Sequence, residues 1–365
     1  MRSSCCWQAI VPDDARREAW RQLALDPPLA HGGAPVAGQI RTDPEDFLVE
    51  ERLSFQPDGG TGHYLLLVEK RDANTLYVAK CLARLAGLPA GDIGFAGLKD
   101  RRAVARQWFS IPARHVRPSA AGLEGDGFQV LEVHPHSRKL RRGALAANRF
   151  RLRVRELRGD LTTLAARLQT IALRGAPNYF GPQRFGRDGA NLLRVNDWID
   201  SGRLPRDRAA RGFLLSAARS LAFNAVLGRR VAEGSWDRLL PGEIASLSGS
   251  SSVFRVAEVD QELARRCREG DIHPSGPLCG EGDMQPGGEC ASIEQSVLEM
   301  LAPLPERLAG VVAGERRALV LRPADLAWNV GGQELELEFE LPRGAFATSL
   351  LREAISATVP EAESD

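Results

Sequence analysis

The sequence predicts an α+β fold, in which groups of strands and groups of helices follow one another without a regular βαβ alternation. Strand-like segments come first, at residues 38–52, 62–70, 104–111, 128–133 and 150–157. Helical patterns dominate after Pro177, with Leu214–Glu233 the longest, and strand character returns near Ala318. Such segregation is typical of α+β proteins. The 365 residues are enough for about two domains.

Turn and capping residues set the boundaries of these elements. Pro57–Gly60 separates the first two strands, and Asn74 begins a helix that ends at Gly87. The apolar face predicted for this helix comprises Leu76, Ala79, Leu82, Leu85 and Ala86. Further helices are predicted at 13–25, 160–175 and 348–358, late strands at 318–323, 326–330 and 335–341, and loops at 248–252 and 275–288.

The composition excludes several classes of protein. Hydrophobic residues make up 43% of the chain, which is typical of a folded globular protein and not of a disordered one. No apolar run reaches the roughly 18 residues of a membrane-spanning helix, so we expect no membrane span. The six cysteines include the adjacent Cys5 and Cys6 but no C-x-x-C pair, which indicates free thiols of a reducing compartment, the cytoplasm.

Basic residues are unevenly distributed, although the net charge is only +1. Eight Lys and Arg residues and no acidic residue lie between Ser137 and Arg155, a pattern typical of polyanion binding. From Phe150 onward apolar and basic residues alternate, which predicts a strand with Arg151 and Arg153 on one face. That row is either a nucleic-acid contact or a solvated strand face. Glu334–Leu341 predicts a strand with an acidic outer face.

One short segment, Gly94–Ala103, carries the strongest candidate chemistry. Within it Asp100 is flanked by Lys99, Arg101 and Arg102. The segment has neither the G-x-x-x-x-G-K-[ST] nor the G-x-G-x-x-G pattern of a nucleotide-binding loop. A carboxylate beside cations that can bind phosphate suits nucleophilic attack on a sugar held in a polynucleotide. The alternative is a surface turn with an ion-pair cluster.

Two other segments have weaker functional patterns. Asn178–Gly186 combines two aromatic side chains with amide and guanidinium donors, which could stack on bases and bind phosphates. The alternative is that its aromatic side chains, Phe180 and Phe185, are core residues. His134 and His136 form an H-x-H pair, but no third ligand is in view, so we expect no metal site.

Three segments together resemble the tRNA pseudouridine synthase D (TruD) family. They are GFAGLKDRRAVARQWF at 94–109, PNYFGPQRFG at 177–186 with Asn191 beyond it, and LPRGAFATSLLRE at 341–353. DPEDFLVEE at 43–51, the block from Lys139 to Phe150 and FLLSAARSLAFNAVL at 213–227 are also similar to blocks of the family. The blocks follow the family's order and span about residues 30–355.

The resemblance implies a pseudouridine-synthase-type catalytic domain with a mixed, largely antiparallel sheet and flanking helices, interrupted by an inserted α+β TRUD domain. The expected boundaries are an N-terminal lead-in at 1–30, the catalytic domain at 31–176 and 323–365, and the TRUD domain at 177–322. It also implies conversion of uridine to pseudouridine in tRNA, in bacteria at position 13. We expect a cytoplasmic monomer that uses neither a cofactor nor a metal.

On this hypothesis Asp100 is the catalytic residue, which either attacks C1′ of the ribose or promotes loss of the C2′ proton. The expected substrate contacts are Asn148, Phe150 and Lys99. Phe150 would stack on the flipped base, and Lys99 or Arg101 would stabilise the detached uracil. The expected RNA contacts are Arg101, Arg102, Arg151, Arg153, Asn178, Gln183 and Arg184.

Two other functions stay open at this point. A hydrolase of N-glycosidic bonds would also use a carboxylate, but it would release free uracil. A non-catalytic tRNA-binding or RNA-folding protein would bind tRNA in a salt-dependent way without needing Asp100.

Overall fold

The computed structural model describes residues 13–115, 121–282 and 284–360, which divide into two compact units. The first, here called the sheet unit, contains Gly33–Leu173, Arg322–Ala347 and the described residues from Leu351 onward. The second, here called the helical unit, contains the described residues up to Gly32, Arg174–Leu321 and Thr348–Leu350. The chain therefore leaves the sheet unit after Leu173 and re-enters it at Arg322.

The order of the elements, with groups of strands and groups of helices in turn, is that of an α+β fold. The strands are β1 (Val36–Ile40), β2 (Phe47–Leu53), β3 (His63–Arg71), β4 (Gly94–Phe95), β5 (Val104–Pro112), β6 (Glu124–Gly125), β7 (Phe128–His136), β8 (Leu145–Gly159), β9 (Ala176–Pro177), β10 (Ile244–Leu247), β11 (Val253–Arg255), β12 (Ile272–Leu278), β13 (Glu315–Ala318), β14 (Val320–Leu321), β15 (Ala324–Gly331), β16 (Glu334–Pro342) and β17 (Ile355–Thr358). The helices are α1 (Asp13–Leu25), α2 (Thr75–Ala86), α3 (Leu161–Arg174), α4 (Ala190–Ser201), α5 (Arg208–Ala232), α6 (Gln261–Glu269), α7 (Gly288–Met300), α8 (Leu304–Ala309) and α9 (Ala347–Leu351).

Eleven of the described strands form the sheet of the sheet unit. Eight follow the order β15-β16-β8-β2-β5-β3-β7-β6, while β1 pairs with β8 and β17, and β4 pairs with β5. The β1–β17 and β2–β5 pairs are parallel, and the other pairs are antiparallel. The predicted mixed, largely antiparallel sheet of an α+β protein is therefore confirmed.

The burial pattern of β8 matches the alternation of apolar and basic residues in its sequence. Phe150, Leu152 and Val154 are buried, and the arginines between them face solvent, as the two-residue period predicts. β16 lies beside it, with Phe150 opposite Phe339 and Arg153 opposite Glu336. The basic face of one strand and the acidic face of the other are thus neighbours, which favours this pairing.

Helix α2 packs on the sheet through a face that differs from the predicted one. Leu82 and Ala79 are buried as expected, but Leu76 and Leu85 are 50% and 56% exposed. The rotation of the helix is fixed by a polar contact that apolar periodicity does not include. The Thr75 hydroxyl points inward, donates to Gln107 Oε1 at 2.9 Å and accepts from the Lys99 backbone N–H at 3.0 Å.

The helical unit is built around α5. This helix has 25 residues and is the longest of the described helices, as predicted. A four-stranded sheet, β11-β10-β12-β13, and the pair β14-β9 complete the unit. Arg230 on α5 and Glu243 form a buried ion pair at 2.9 Å, with side chains 1% and 0% exposed. Helix α1, which was predicted, belongs to this unit.

Two predicted elements are wrong. Residues 348–358 do not form one closing helix, because the segment contains the end of α9 and then β17, which pairs with β1 at the margin of the sheet. The predicted loop at 275–288 begins inside β12, where Ser275 and Pro277 pair with β13. Cys5 and Cys6 lie outside the described residues. Among the described helices none is long and apolar enough to cross a membrane.

The corrected face of α2 predicts unequal effects of two leucine substitutions. Leu82→Ala should lower the free energy of unfolding by about 2–5 kcal/mol, because it leaves a cavity in the core. Leu85→Ala should change it by less than about 0.5 kcal/mol, since Leu85 is exposed. Urea denaturation of both variants measures the difference, and equal losses would show that the face is misassigned.

Candidate active site

Asp100 lies in the loop between β4 and β5, and a buried lysine holds its backbone. Lys70 on β3 is fully buried. Its ammonium donates to the backbone carbonyl of Asp100 at 2.6 Å and to that of Ala73 at 2.7 Å. A buried ammonium is costly unless it is hydrogen-bonded, so these bonds favour one conformation of the loop.

A second buried charge holds the neighbouring residue. Lys99 donates to Glu51 on β2 at 2.5 Å, and the two side chains are 8% and 0% exposed. Glu51 also accepts from the Trp108 backbone N–H at 3.0 Å and from Gln107 at 3.4 Å. The carboxylate therefore links β2, β5 and the loop through charge-assisted hydrogen bonds.

Gln107 and Thr75 close this network. Gln107 donates to the Gly97 carbonyl at 2.6 Å and accepts from the Thr75 hydroxyl, which in turn accepts from the Lys99 backbone. The loop is therefore held by hydrogen bonds at Gly97, Lys99 and Asp100, and the side chains that make these bonds are buried. Such support holds the side chain of Asp100 in a defined position.

The carboxylate of Asp100 is itself paired with Arg41, the residue that follows β1. The Arg41 guanidinium donates to Asp100 Oδ2. Arg41 is 12% exposed and has a positive φ of 59°, while the Asp100 side chain is 33% exposed. The ion pair thus orients a carboxylate that stays accessible. The left-handed backbone conformation of Arg41, which is rare outside glycine, places its guanidinium beside Asp100.

Aromatic rings extend from this pair along the sheet. The Arg41 guanidinium lies 4.2 Å from the ring centre of Phe47. Phe47 meets Phe150 edge-on with ring centres 6.0 Å apart, and Phe150 stacks on Phe339 at 5.3 Å. Phe150 is 7% exposed, so it can present only part of a ring to a ligand, and its predicted base stacking stays a prediction.

Asn148 lies two residues before Phe150 on β8, opposite Glu51 of β2. Asn148 as a whole is half-buried, but its Oδ1 atom is buried and has no hydrogen-bond partner among the described residues. A buried polar atom left unpaired destabilises a fold by about 1–3 kcal/mol. This acceptor is therefore suited to an N–H group of a bound molecule.

Lys99, Arg101 and Arg102 share the loop with Asp100, but their contacts differ from the predicted ones. Lys99 is engaged by Glu51, so a contact with uracil would require breaking a buried ion pair. Arg101 is exposed and lies 3.3 Å from the Asp72 carboxylate. Arg102 donates to the Pro360 carbonyl at 3.1 Å. The substrate and RNA contacts predicted for these three residues stay predictions.

The other predicted RNA contacts lie elsewhere. Arg151 and Arg153 are on the exposed face of β8, where they pair with Glu338 at 3.5 Å and Glu336 at 2.9 Å. Three more lie in the helical unit: Asn178, Gln183 and Arg184.

Most of the side chains of the segment 178–185 of the helical unit are buried or bonded within that unit. Asn178 is buried and donates to the Ala318 carbonyl at 2.9 Å, whereas Gln183 is exposed. Arg184 donates to Ser216 at 2.7 Å, and burial lowers the pKa of its guanidinium. Phe180 and Phe185 are buried, as the core alternative predicts.

Each histidine of the H-x-H pair lies beside a carboxylate side chain of the protein. His134 lies 2.8 Å from Glu132, and His136 lies 3.1 Å from Asp58. Within the described parts of the chain, no group of three or more His, Cys, Asp or Glu residues could hold a metal ion.

Comparison with known proteins identifies the family. The family model described as tRNA pseudouridine synthase D (TruD) matches residues 29–204 and 203–354. The chain belongs to the TruD family. A tRNA pseudouridine synthase D from Nitrosococcus oceani is 45% identical over 335 residues, which cover 90% of this chain and 93% of that protein. One from Methylococcus capsulatus is 44% identical over 334 residues, with 90% and 94% covered.

A solved structure shows the same fold. The crystal structure of a protein from Methanosarcina mazei, assigned to tRNA pseudouridine synthase D, matches with a TM-score of 0.70 over 91% of this chain and 96% of that chain. The two sequences are 23% identical, so this likeness concerns the fold. It agrees with the α+β architecture expected for the TruD family.

Sequence reasoning missed three residues of the site: Arg41, Glu51 and Lys70. Arg41 is 59 positions from Asp100 and reaches it only through the fold. Glu51 and Lys70 each lie in an alternating strand, where a charged residue is normally assigned to the solvent face. A signal for Lys70 was present, because it is one of only four lysines in a chain with 48 Lys and Arg residues.

The burial of Lys70 predicts a pH-dependent stability. Removal from water lowers the pKa of this lysine to about 8, against the opposing attraction of the Asp100 carboxylate. In the unfolded chain the pKa is about 10.4. Between these values the unfolded state binds more protons, so the contribution of Lys70 to stability rises with pH.

The comparison of wild type with Lys70→Met isolates this contribution. From pH 7 to pH 10 the free energy of unfolding of the wild type should rise relative to that of the variant by about 2 kcal/mol. Urea denaturation at the two pH values measures it. A difference that is constant or that falls with pH would show that folding does not lower the pKa of Lys70.

Proposed function

We propose that this chain isomerises uridine to pseudouridine in tRNA, at position 13, with Asp100 as the nucleophile. The observation that carries the proposal is the accessible Asp100 carboxylate, which Arg41 orients on a loop held by Lys70 and Lys99. Membership of the TruD family and the names of the relatives support the substrate.

Isomerisation exchanges one bond of the ribose for another. The Asp100 carboxylate attacks C1′ as the C1′–N1 bond breaks, and uracil leaves with the electron pair of that bond. The uracil then turns so that its C5 faces C1′. C5 attacks C1′, the carboxylate leaves with the electron pair of the ester bond, C5 loses its proton, and N1 gains a proton. Atoms and charges balance without a cofactor.

Arg41 and the buried lysines position the nucleophile. The guanidinium of Arg41 fixes the direction of the carboxylate, and Lys70 fixes the backbone from which it extends. Orientation of this kind can supply several kcal/mol of the barrier, because the reacting atoms need not search for alignment.

Asn148 and Phe150 are suited to hold the base. The unpartnered Oδ1 of Asn148 can accept from the N3–H of uracil, which would satisfy a buried acceptor. Phe150 supplies an apolar wall that keeps water away from C1′, where water would cause hydrolysis. The target uridine must leave its stack to reach them.

We assign the sheet unit to the catalytic domain and the part of the helical unit from Arg174 to Leu321 to the TRUD domain. The assignment follows from the position of Asp100, Arg41 and Asn148, which all lie in the sheet unit. Since these residues come from one chain, we propose that the enzyme acts as a monomer. The cysteine pattern supports a cytoplasmic location.

Tritium release from tRNA labelled at uracil C5 tests the proposal, because the new bond expels that hydrogen. Wild type should release tritium, and Asp100→Asn should lower the rate by a factor of about 10⁴ or more, since the amide has no nucleophilic charge. Asp72→Asn is the matched control, because it removes a neighbouring carboxylate whose ion pair in the described structure is with exposed Arg101 and which attracts Lys70 from beyond 4.0 Å. It should retain the wild-type rate within about threefold.

Other outcomes would contradict the proposal in distinct ways. Undiminished release by Asp100→Asn would exclude Asp100 as the nucleophile. Free uracil in place of pseudouridine would indicate a hydrolase. Binding of tRNA without any release would indicate a non-catalytic RNA-binding protein.

A further inference from the structure

The basic block at 137–155 has two parts, which differ in whether their cations pair with carboxylates. In the second part every arginine has a carboxylate partner. The pairs are Arg149–Glu338 at 2.6 Å, Arg151–Glu338 at 3.5 Å, Arg153–Glu336 at 2.9 Å and Arg155–Asp46 at 2.8 Å. The charge of this part is therefore largely neutralised by its own sheet.

The first part, which we call the basic turn, runs from Arg138 to Gly143. Arg138, Lys139, Arg141 and Arg142 are all exposed, and none lies within 4.0 Å of a carboxylate oxygen of the described residues. The nearby carboxylate of Asp58 is engaged by the backbone N–H and hydroxyl of Ser137 and by His136. The basic turn thus carries four cations with no carboxylate partner in the described structure, of which Lys139 donates to the Gly91 carbonyl at 2.6 Å.

The basic turn is held in place from below. Leu140 is buried, and its backbone N–H donates to the Ser110 hydroxyl at 2.8 Å. The Gly143 backbone N–H donates to the Ala96 carbonyl at 2.8 Å. Gly143 has a φ of 83°, which favours glycine at this position. A fixed backbone presents the cations at defined positions, which lowers the entropy lost on binding.

These bonds join the basic turn to the loop of the active site. Ala96 is four residues before Asp100, and the Arg142 guanidinium lies 5.3 Å from the ring centre of Phe95. Arg343, which follows β16, donates to the Gly143 carbonyl at 3.1 Å and is also exposed without a carboxylate partner in the described structure. A fifth cation from another segment therefore reaches the same turn.

We propose that the basic turn, together with Arg343, binds backbone phosphates of the RNA strand that enters the active site. The polyanion is identified as tRNA on the strength of the proposed function. An uncompensated guanidinium can bind a phosphate in a bidentate manner. Arg151 and Arg153 would first have to leave Glu338 and Glu336, which reduces what a phosphate contact there can contribute.

The test is the affinity of three variants for a fluorescent tRNA transcript, measured by anisotropy between 50 and 200 mM salt. Arg141→Gln/Arg142→Gln removes two cations of the basic turn. Arg52→Gln/Arg106→Gln removes two arginines of the same unit, with side chains 49% and 40% exposed, that pair with Glu340 and Glu69. Arg151→Gln/Arg153→Gln removes the paired row of β8.

The basic-turn variant should raise the Kd for tRNA roughly tenfold or more at the lowest salt. It should also reduce the slope of log Kd against log salt by about 2, one for each lost phosphate contact. The Arg52/Arg106 variant should bind within about threefold of wild type, because its cations are already paired. Thermal unfolding of all three variants identifies any loss of affinity that comes from unfolding.

Two results would overturn the proposal. One is a basic-turn variant that binds tRNA as wild type does while remaining folded. The other is an Arg151/Arg153 variant that loses at least as much affinity and salt dependence as the basic-turn variant. Tritium release by wild type is scored separately. If it is absent, the proposed function fails, whereas the three Kd values still decide whether this turn binds RNA.

Discussion

The buried pair of Lys99 and Glu51 is the interaction on which the active site depends. Breaking such a pair by removing one partner costs about 3–5 kcal/mol, because the remaining charge is left buried. The contact between Lys99 and Glu51 ties the loop before β5 to β2. Lys70 adds a second restraint of the same kind at the Asp100 carbonyl. The position of Asp100, the proposed nucleophile, is therefore a consequence of satisfying charges in the core.

The sheet must be complete for this arrangement to exist, although its strands are far apart in sequence. Asn148 on β8 lies opposite Glu51 on β2 and also opposite Leu341 on β16. In the sequence, β16 follows the Arg174–Leu321 segment of the helical unit. Its acidic face neutralises the arginines of β8, so the register that places Phe339 on Phe150 is also the register that pairs the charges. Packing and electrostatics specify one alignment.

The sequence predicted the parts of the fold and site that depend on local patterns. The alternation of β8 and the length of α5 are local, and Asp100 was found from the residues beside it. The face of α2 was wrong because Thr75 turns inward to a polar network, and the closing helix was wrong because β17 completes a sheet edge with β1. Arg41 could not be found, since nothing near it in sequence indicates a partner 59 residues away. The pairing of Arg151 and Arg153 likewise depends on a distant strand.

The most direct test of the account is the single-turnover rate of pseudouridine formation by Glu51→Gln at saturating tRNA. Glu50→Gln is the control, since Glu50 is the neighbouring residue, lies 3.8 Å from the Arg106 guanidinium and has a side chain that is 38% exposed. If the buried charge positions Asp100, the Glu51 variant should react about 100-fold more slowly while binding tRNA normally, and the control should not change. A folded Glu51→Gln variant that reacts at the wild-type rate would contradict the account.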